Sequence, residues 1–276
     1  MNTDTWFVTG ASSGFGRAYV EHAVSRGHTV VATARDPNSL QELVALAPDR
    51  VLAQRLDVTE PGDVAAAVKL ALERFGRIDV LLNNAGYGIV GAFEETPDKE
   101  LRAQMETNFF GAMNMMRAVL PVMRAQRKGA IVNISSLGGQ LSFAGFSAYS
   151  ASKFALEGVS EALAQEVAPF GIKVLIVEPG QFRTNLAGAS VRHMPILDSY
   201  RDVVAGTREF AHAMHGTQEG DPMKAAAAIE VALEAPSTPL RLPLGTDSIE
   251  AIRRHSEALL KDLSLWEGLS RATAFD

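Results

Sequence analysis

Seven short apolar runs, at residues 6–8, 28–34, 48–56, 78–82, 131–134, 171–177 and 240–244, punctuate this chain, which has no internal sequence repeat. They are rich in β-branched residues, as buried strands are. Stretches with helical periodicity separate most of them. That alternation constrains the fold more than any other feature, because parallel strands need long crossover connections and helices supply them. It predicts an α/β architecture: one Rossmann-type, doubly wound domain over residues 1–276, with a mostly parallel seven-stranded sheet flanked by helices. Pro243 places the last run at a sheet edge. A substrate-covering segment is expected near 185–220, where periodicity is irregular. A C-terminal extension, 246–276, is expected to form a helix to about residue 263 and then a loose tail.

Composition removes several function classes. There is no cysteine, so disulfides, thiol catalysis and cysteine-ligated metals are excluded. A net charge of -6 gives no sign of a nucleic-acid partner. No apolar run is long enough to cross a membrane, and no signal-like segment precedes the first strand, so a cytoplasmic protein is expected. His212 and His215 have the spacing of a metal pair, but no third ligand cluster accompanies them, and no metal is expected.

The chemistry-bearing residues follow the strands, on the edge where ligands of such sheets bind. Gly10, Gly14 and Gly16 lie between the first strand and a helix. Their spacing suits a plain turn or a cradle for phosphate at the helix N-terminus. Asp57 ends the third strand and can cap the next helix or face a ligand. Asn108 and Gly111 interrupt a helical stretch over 97–125, since both are weak helix formers, and mark a kink or a buried water site. Ser136 ends a strand. Tyr149 and Lys153 are four apart, on one face of an alanine-rich helix. An ammonium beside a phenol lowers the phenol pKa from about 10 and makes it a tunable proton donor. A serine hydroxyl can orient the carbonyl oxygen that takes that proton.

Taken in order, Thr9-Gly10-x3-Gly14-x-Gly16, Asn83-Asn84-Ala85-Gly86, Asn108, Ser136, Tyr149-x3-Lys153 and Pro179-Gly180 closely resemble the short-chain dehydrogenase/reductase family. The resemblance covers roughly residues 5–184. It implies hydride exchange between a nicotinamide cofactor and a carbonyl or alcohol, with Asn108, Ser136, Tyr149 and Lys153 as the catalytic tetrad. Asn108 would hold a water linking Lys153 to solvent. Gly10, Ser12, Ser13, Gly14, Phe15 and Gly16 would cradle the pyrophosphate. Asp57 and Val58 would meet the adenine, and Asn83, Ala85 and Gly86 would line the cleft. Pro179, Gly180, Phe182 and Thr184 would receive the nicotinamide, with Tyr149 and Lys153 at its ribose.

Relatives that prefer NAD usually carry an acidic residue after the second strand, whereas this chain has Ala34 and Arg35. A guanidinium can clamp a 2′-phosphate, so NADP(H) is the expected cofactor. Asp36 runs against that choice unless it faces away as a cap, and Ser13 stands where many NADP-specific relatives have a basic residue. Leu137, Leu141, Phe143 and Phe146 point to an apolar pocket, with Ser136, Leu137, Phe143 and Tyr149 as substrate contacts. A lipophilic ketone, aldehyde or alcohol is expected, as in the steroid, retinol or carbonyl reductase-like branch. A 3-oxoacyl-thioester reductase and a non-catalytic NADP(H)-binding sensor are the alternatives. By resemblance the chain would assemble as a homodimer or homotetramer.

Overall fold

Strand β1 (Thr5–Val8) is buried on both faces. Trp6 and Val8 point into one apolar cluster and Phe7 into another, because successive strand residues face opposite sides. Trp6 is a packing residue, 2% exposed. The computed structural model describes residues 3–184, 191–213 and 216–275. Around β1 lie β2 (Thr29–Ala34), β3 (Val51–Arg55), β4 (Val80–Asn83), β6 (Gly129–Ile134), β7 (Ile172–Pro179) and β9 (Arg241–Leu244). They form one seven-stranded sheet in the order β3-β2-β1-β4-β6-β7-β9, and every pairing is parallel. The Pro-containing β9 is indeed an edge strand. The order reverses between β1 and β4, which opens the crevice where ligands of such sheets bind. Beyond it, β5 (Gly88–Val90) and β8 (Val191–His193) pair as a separate two-stranded sheet.

Helices cover both faces. On one, α1 (Gly14–Ser25), α2 (Gln41–Leu46) and α8 (Pro222–Glu234) bury Tyr19, Val20, Leu43 and Ile229 against Trp6, Val30, Leu82 and Val132. On the other, α3 (Pro61–Phe75), α5 (Gly111–Gln126) and α6 (Ser147–Val167) bury Val68, Met115, Met123 and Leu163 against Phe7, Val31, Leu81 and Ile131. Leu, Val and Ile side chains of this kind each gain about 1.5–3 kcal/mol on full burial, so the two cores hold the sheet rigid beneath the crevice.

Several boundaries differ from the sequence reading. The stretch over 97–125 is three pieces: α4 (Asp98–Met105), a π-helical turn over Glu106–Phe110, and α5. The irregularity at Asn108, expected as a kink or a buried water site, is a wide π turn between two α-helical pieces. The third strand begins at Val51, after a turn over 48–50. The C-terminal helix α9 (Thr246–Arg271) continues past residue 263, where the sequence predicts a loose tail. Helix α7 (Arg201–Ala213) lies in the segment expected to cover the substrate.

Candidate active site

The loop after β1 depends on its glycines for its shape. Gly10 and Gly14 adopt φ of 65° and 55°, which L side chains resist. A Cβ on Gly16 would strike the Gly10 carbonyl, so only glycine lets α1 approach the loop this closely. Asn84 pins the loop from β4: its Nδ2 donates to the carbonyls of Thr9 and Gly10, both at 3.0 Å. Thr9 Oγ1 in turn accepts from the Asn84 and Ala85 amides at 2.9 and 3.0 Å. The first turn of α1 holds no acidic residue, and the Ser13 side chain makes no capping bond. An unneutralised helix N-terminus of this kind favours an anion.

A cavity of about 850 Å³ runs from this loop across the strand ends. Gly10, Ser12, Ser13, Gly14, Phe15 and Arg35 line one end; Asp57, Val58, Ala85 and Gly86 line the middle. Pro179, Gly180, Phe182, Thr184, Ser136, Leu137, Phe143, Tyr149 and Lys153 line the rest. Three expected site residues lie outside that lining. Gly16 is beneath the loop. Asn83 turns into the sheet, where its Nδ2 donates to Asn133 Oδ1 at 2.8 Å, and its neighbour Asn84 faces the cavity instead. Asn108 Nδ2 donates to the Tyr87 carbonyl and to Ser152 Oγ, both at 3.0 Å, while its Oδ1 accepts from the Tyr87 amide at 3.1 Å. Its side chain ties the π turn to the loop after β4 and to α6.

At the end of β2, Arg35 is exposed and forms no ion pair among the described residues. Asp36 faces away, as expected: its Oδ1 accepts from the Asn38 amide at 3.0 Å and caps the turn that begins at Pro37. Asp57 Oδ1 accepts from the Thr59 amide and hydroxyl at 3.0 and 2.7 Å. It therefore closes the turn before α3, whose own N-cap is Glu60. Burial pushes the Asp57 carboxyl up, but the Thr59 bonds and the charges of Arg35 and Arg55 hold it below the usual value.

Ser136 Oγ accepts from the Gly138 amide at 3.0 Å, which fixes it at the mouth of the loop after β6. Burial pushes the Tyr149 phenol up, and the adjoining Ser136 hydroxyl works in the opposite direction. The Lys153 ammonium lies 5.8 Å from the centre of the Tyr149 ring and donates to the Ile134 carbonyl at 2.8 Å. Burial lowers Lys153 to about 8, partly offset by Glu157. The expected depression of the phenol by Lys153 is thus not what dominates here: desolvation of Tyr149 does. The arrangement still supplies a neutral phenol, a hydroxyl and an ammonium around one corner of the cavity.

Comparison with known proteins bears on the family. A family model for short chain dehydrogenase matches residues 4–195. The chain belongs to the short-chain dehydrogenase family. An oxidoreductase of Botryotinia fuckeliana, BOA17, is 41% identical over 273 residues, covering 99% of this chain and all of that protein (100%). A 3-ketodihydrosphingosine reductase of Bacteroides thetaiotaomicron is 48% identical over 184 residues, 67% of this chain and 66% of that one. The crystal structure of a short-chain dehydrogenase from Streptomyces avermitilis superposes with a TM-score of 0.93 at 52% identity, covering 99% of this chain and 100% of that one.

Within this short-chain dehydrogenase, the segment after β7 closes the far side of the cavity. Val191, Arg192, Thr207, Phe210 and Gln218 line it, together with Tyr87 and Phe146. Leu141 does not. Glu95, a buried carboxylate, ties this segment down by accepting from the Leu197 amide at 2.8 Å and from Arg208 Nη2 at 2.7 Å. Asp247, in the first turn of α9, accepts from the Gln181 amide at 2.8 Å and steadies the loop after Pro179. Nothing local in the sequence marks Asp247 or Glu95, because Gln181, Leu197 and Arg208, which they hold, are distant in the chain, and nothing local marks Gln218. Among the described residues no three potential ligands cluster as a metal site, and His215 lies outside those residues.

Proposed function

We propose that this short-chain dehydrogenase is an NADP(H)-dependent oxidoreductase acting on a carbonyl or alcohol of a lipophilic small molecule. The observation that carries the reading is the cavity joining a helix N-terminus and an unpaired arginine to Ser136, Tyr149 and Lys153. The residues fit the cofactor on the structure's own terms. The glycine loop meets an α1 N-terminus with no acidic residue in its first turn, which suits a pyrophosphate, and Arg35, with no ion pair among the described residues and Asp36 turned away, is available for a 2′-phosphate. Gln218, 2% exposed, lines the cavity with neither side-chain amide atom partnered among the described residues, which is costly unless a ligand satisfies them. When bound, the nicotinamide supplies or accepts the hydride.

The chain's own residues do the remainder. Ser136 holds the carbonyl oxygen by donating its hydroxyl hydrogen, while its own oxygen is fixed by Gly138. Tyr149 delivers the proton to that oxygen, or removes it in the reverse direction. Lys153 stabilises the phenolate left behind and anchors the cofactor ribose. Asn108 holds the π turn against α6 through Ser152, keeping the route to Lys153 in place. Phe143, Phe146 and Phe210 give the substrate end an apolar wall. The relative from Bacteroides thetaiotaomicron is a 3-ketodihydrosphingosine reductase, which supports a ketone as substrate. A homodimer or homotetramer in the cytoplasm is part of this reading; no described helix is long and apolar enough to cross a membrane.

The test is turnover of lipophilic ketones with NADPH by the wild type and by Tyr149→Phe. Removal of the proton donor is expected to lower kcat by about 10²- to 10⁴-fold while NADPH still binds. Wild-type turnover in Tyr149→Phe would end the assignment.

A further inference from the structure

Gln218 brings a buried amide to the wall of the cavity, and none of the steps derived above uses it. Among the described residues neither its Oε1 nor its Nε2 has a hydrogen-bond partner. An amide left unsatisfied on both atoms costs stability, and an apolar side chain of similar size would not. The backbone that carries it is nevertheless held firmly. Arg183 spends both Nε and Nη2 on the single Gln218 carbonyl, at 3.2 and 3.0 Å. Two residues on, the Gly220 amide donates to the Gln181 carbonyl at 3.1 Å, and the Gly220 carbonyl accepts from the Arg183 amide at 2.9 Å. A Cβ on Gly220 would strike the Gln181 carbonyl and the Phe182 ring, so glycine lets this segment lie close. Gln218 is thus fastened to the strip 181–183, whose Gln181 and Phe182 line the same cavity.

Sheet topology says which part of a cofactor Gln218 can meet. The strip follows β7, the neighbour of β6, and the loop after β6 carries Ser136. Arg35 follows β2, and three strands, β1, β4 and β6, lie between β2 and β7. Gln218 therefore belongs to the reacting end of the cavity and not to the end that would hold a 2′-phosphate. The two amide atoms then set the chemistry of the ligand group. Oε1 accepts and Nε2 donates, in one plane. A phosphate, a carboxylate or a ketone oxygen accepts only, and would leave Oε1 unsatisfied. A carboxamide presents a carbonyl and an N–H in one plane and satisfies both.

We propose that Gln218 is a cofactor-binding residue whose side-chain amide pairs with the carboxamide of the nicotinamide, Nε2 donating to the carboxamide oxygen and Oε1 accepting from its N–H. The proposal rests on the reading of this cavity as an NADP(H) site. Holding the carboxamide by two hydrogen bonds fixes the rotation of the ring that exchanges the hydride. The double bond from Arg183 to the Gln218 carbonyl keeps the backbone in place while the side chain does so.

The test is binding, measured by calorimetry on the full-length protein as wild type and as Gln218→Leu. The probes are NADP+ and 2′-phospho-ADP-ribose, which keeps the phosphates and adenine but has no nicotinamide. The proposal expects Gln218→Leu to weaken NADP+ by about 10-fold or more, as loss of two hydrogen bonds implies, and to leave 2′-phospho-ADP-ribose unchanged. Unchanged NADP+ binding overturns it, and a rise confined to the KM of a ketone would then assign Gln218 to the substrate. Equal weakening of both nucleotides also overturns it, as the mark of a structural role. If Gln218→Leu fails to fold, the wild type provides the second arm. The 3-acetylpyridine analogue of NADP+ carries a methyl in place of the carboxamide nitrogen, and the proposal expects it to bind about 10-fold more weakly than NADP+. Equal affinity for the two overturns the proposal. Wild-type protein that binds neither NADP+ nor 2′-phospho-ADP-ribose would instead contradict the cofactor reading itself, and the proposal with it.

Discussion

Tyr149 and Lys153 share a helix face, but burial acts on them in opposite senses. It keeps the phenol protonated and loosens the proton of the ammonium. The sign of the pH dependence is set by the lysine. Lys153 is charged below its lowered value and neutral above it, so a reaction that needs the ammonium weakens as pH rises through about 8. A kcat/KM profile with its alkaline limb there is expected, and Lys153→Met is expected to abolish that limb together with most activity. Arg35 makes a separate prediction. As an exposed guanidinium with no ion pair among the described residues, it favours a cofactor whose 2′-phosphate reaches it. Arg35→Ala is expected to weaken NADPH by about 10-fold or more, as loss of a charge-assisted contact of about 1.5–3 kcal/mol implies. NADH binding should be unaffected. Equal loss for both cofactors, measured by calorimetry, would assign Arg35 a structural role.

Elements fix these residues through contacts far apart in the chain. Helix α8 is docked by Glu230, whose carboxylate meets His22 at 2.8 Å, Arg26 at 3.0 Å and His28 at 3.2 Å. Burial pushes that carboxyl up, but the bonds from His22, His28 and Arg26 hold it below its ordinary 4.5. Its contribution is present above 4.5 and is lost as pH falls through the lower folded value. Glu230→Ala is expected to cost about 2–3 kcal/mol at neutral pH in urea unfolding, and to show a smaller difference from wild type in acid. The alternation of apolar runs with helical stretches made the parallel sheet legible, because period and length carry that information locally. Three-residue β5 and β8 were not legible, being too short to show any period, and neither was the brief α2. Asn83 and Asn84 look alike in sequence; only register against β6 turns the first into the sheet and leaves the second to pin the glycine loop. Helix α9 reads as ending early because Leu259, Leu263, Trp266 and Leu269 remain exposed, so burial does not mark its last turns.

At the scale of the whole molecule, one cavity crosses the switch point of the sheet, and the ends of six strands, β1, β2, β3, β4, β6 and β7, supply its walls. A ligand that spans it stabilises all of them together, so binding is read as resistance to unfolding. The measurement that tests the central claim most directly is the unfolding temperature of the purified protein with NADPH, with NADH and with neither. At about 100 times its dissociation constant a ligand selective for the folded state adds about 2.7 kcal/mol, a rise of about 5–10 °C for a chain of this size. The account predicts that rise with NADPH and a clearly smaller one with NADH. No rise with either would contradict the cofactor site itself, and a larger rise with NADH would contradict Arg35 as the residue that selects the cofactor.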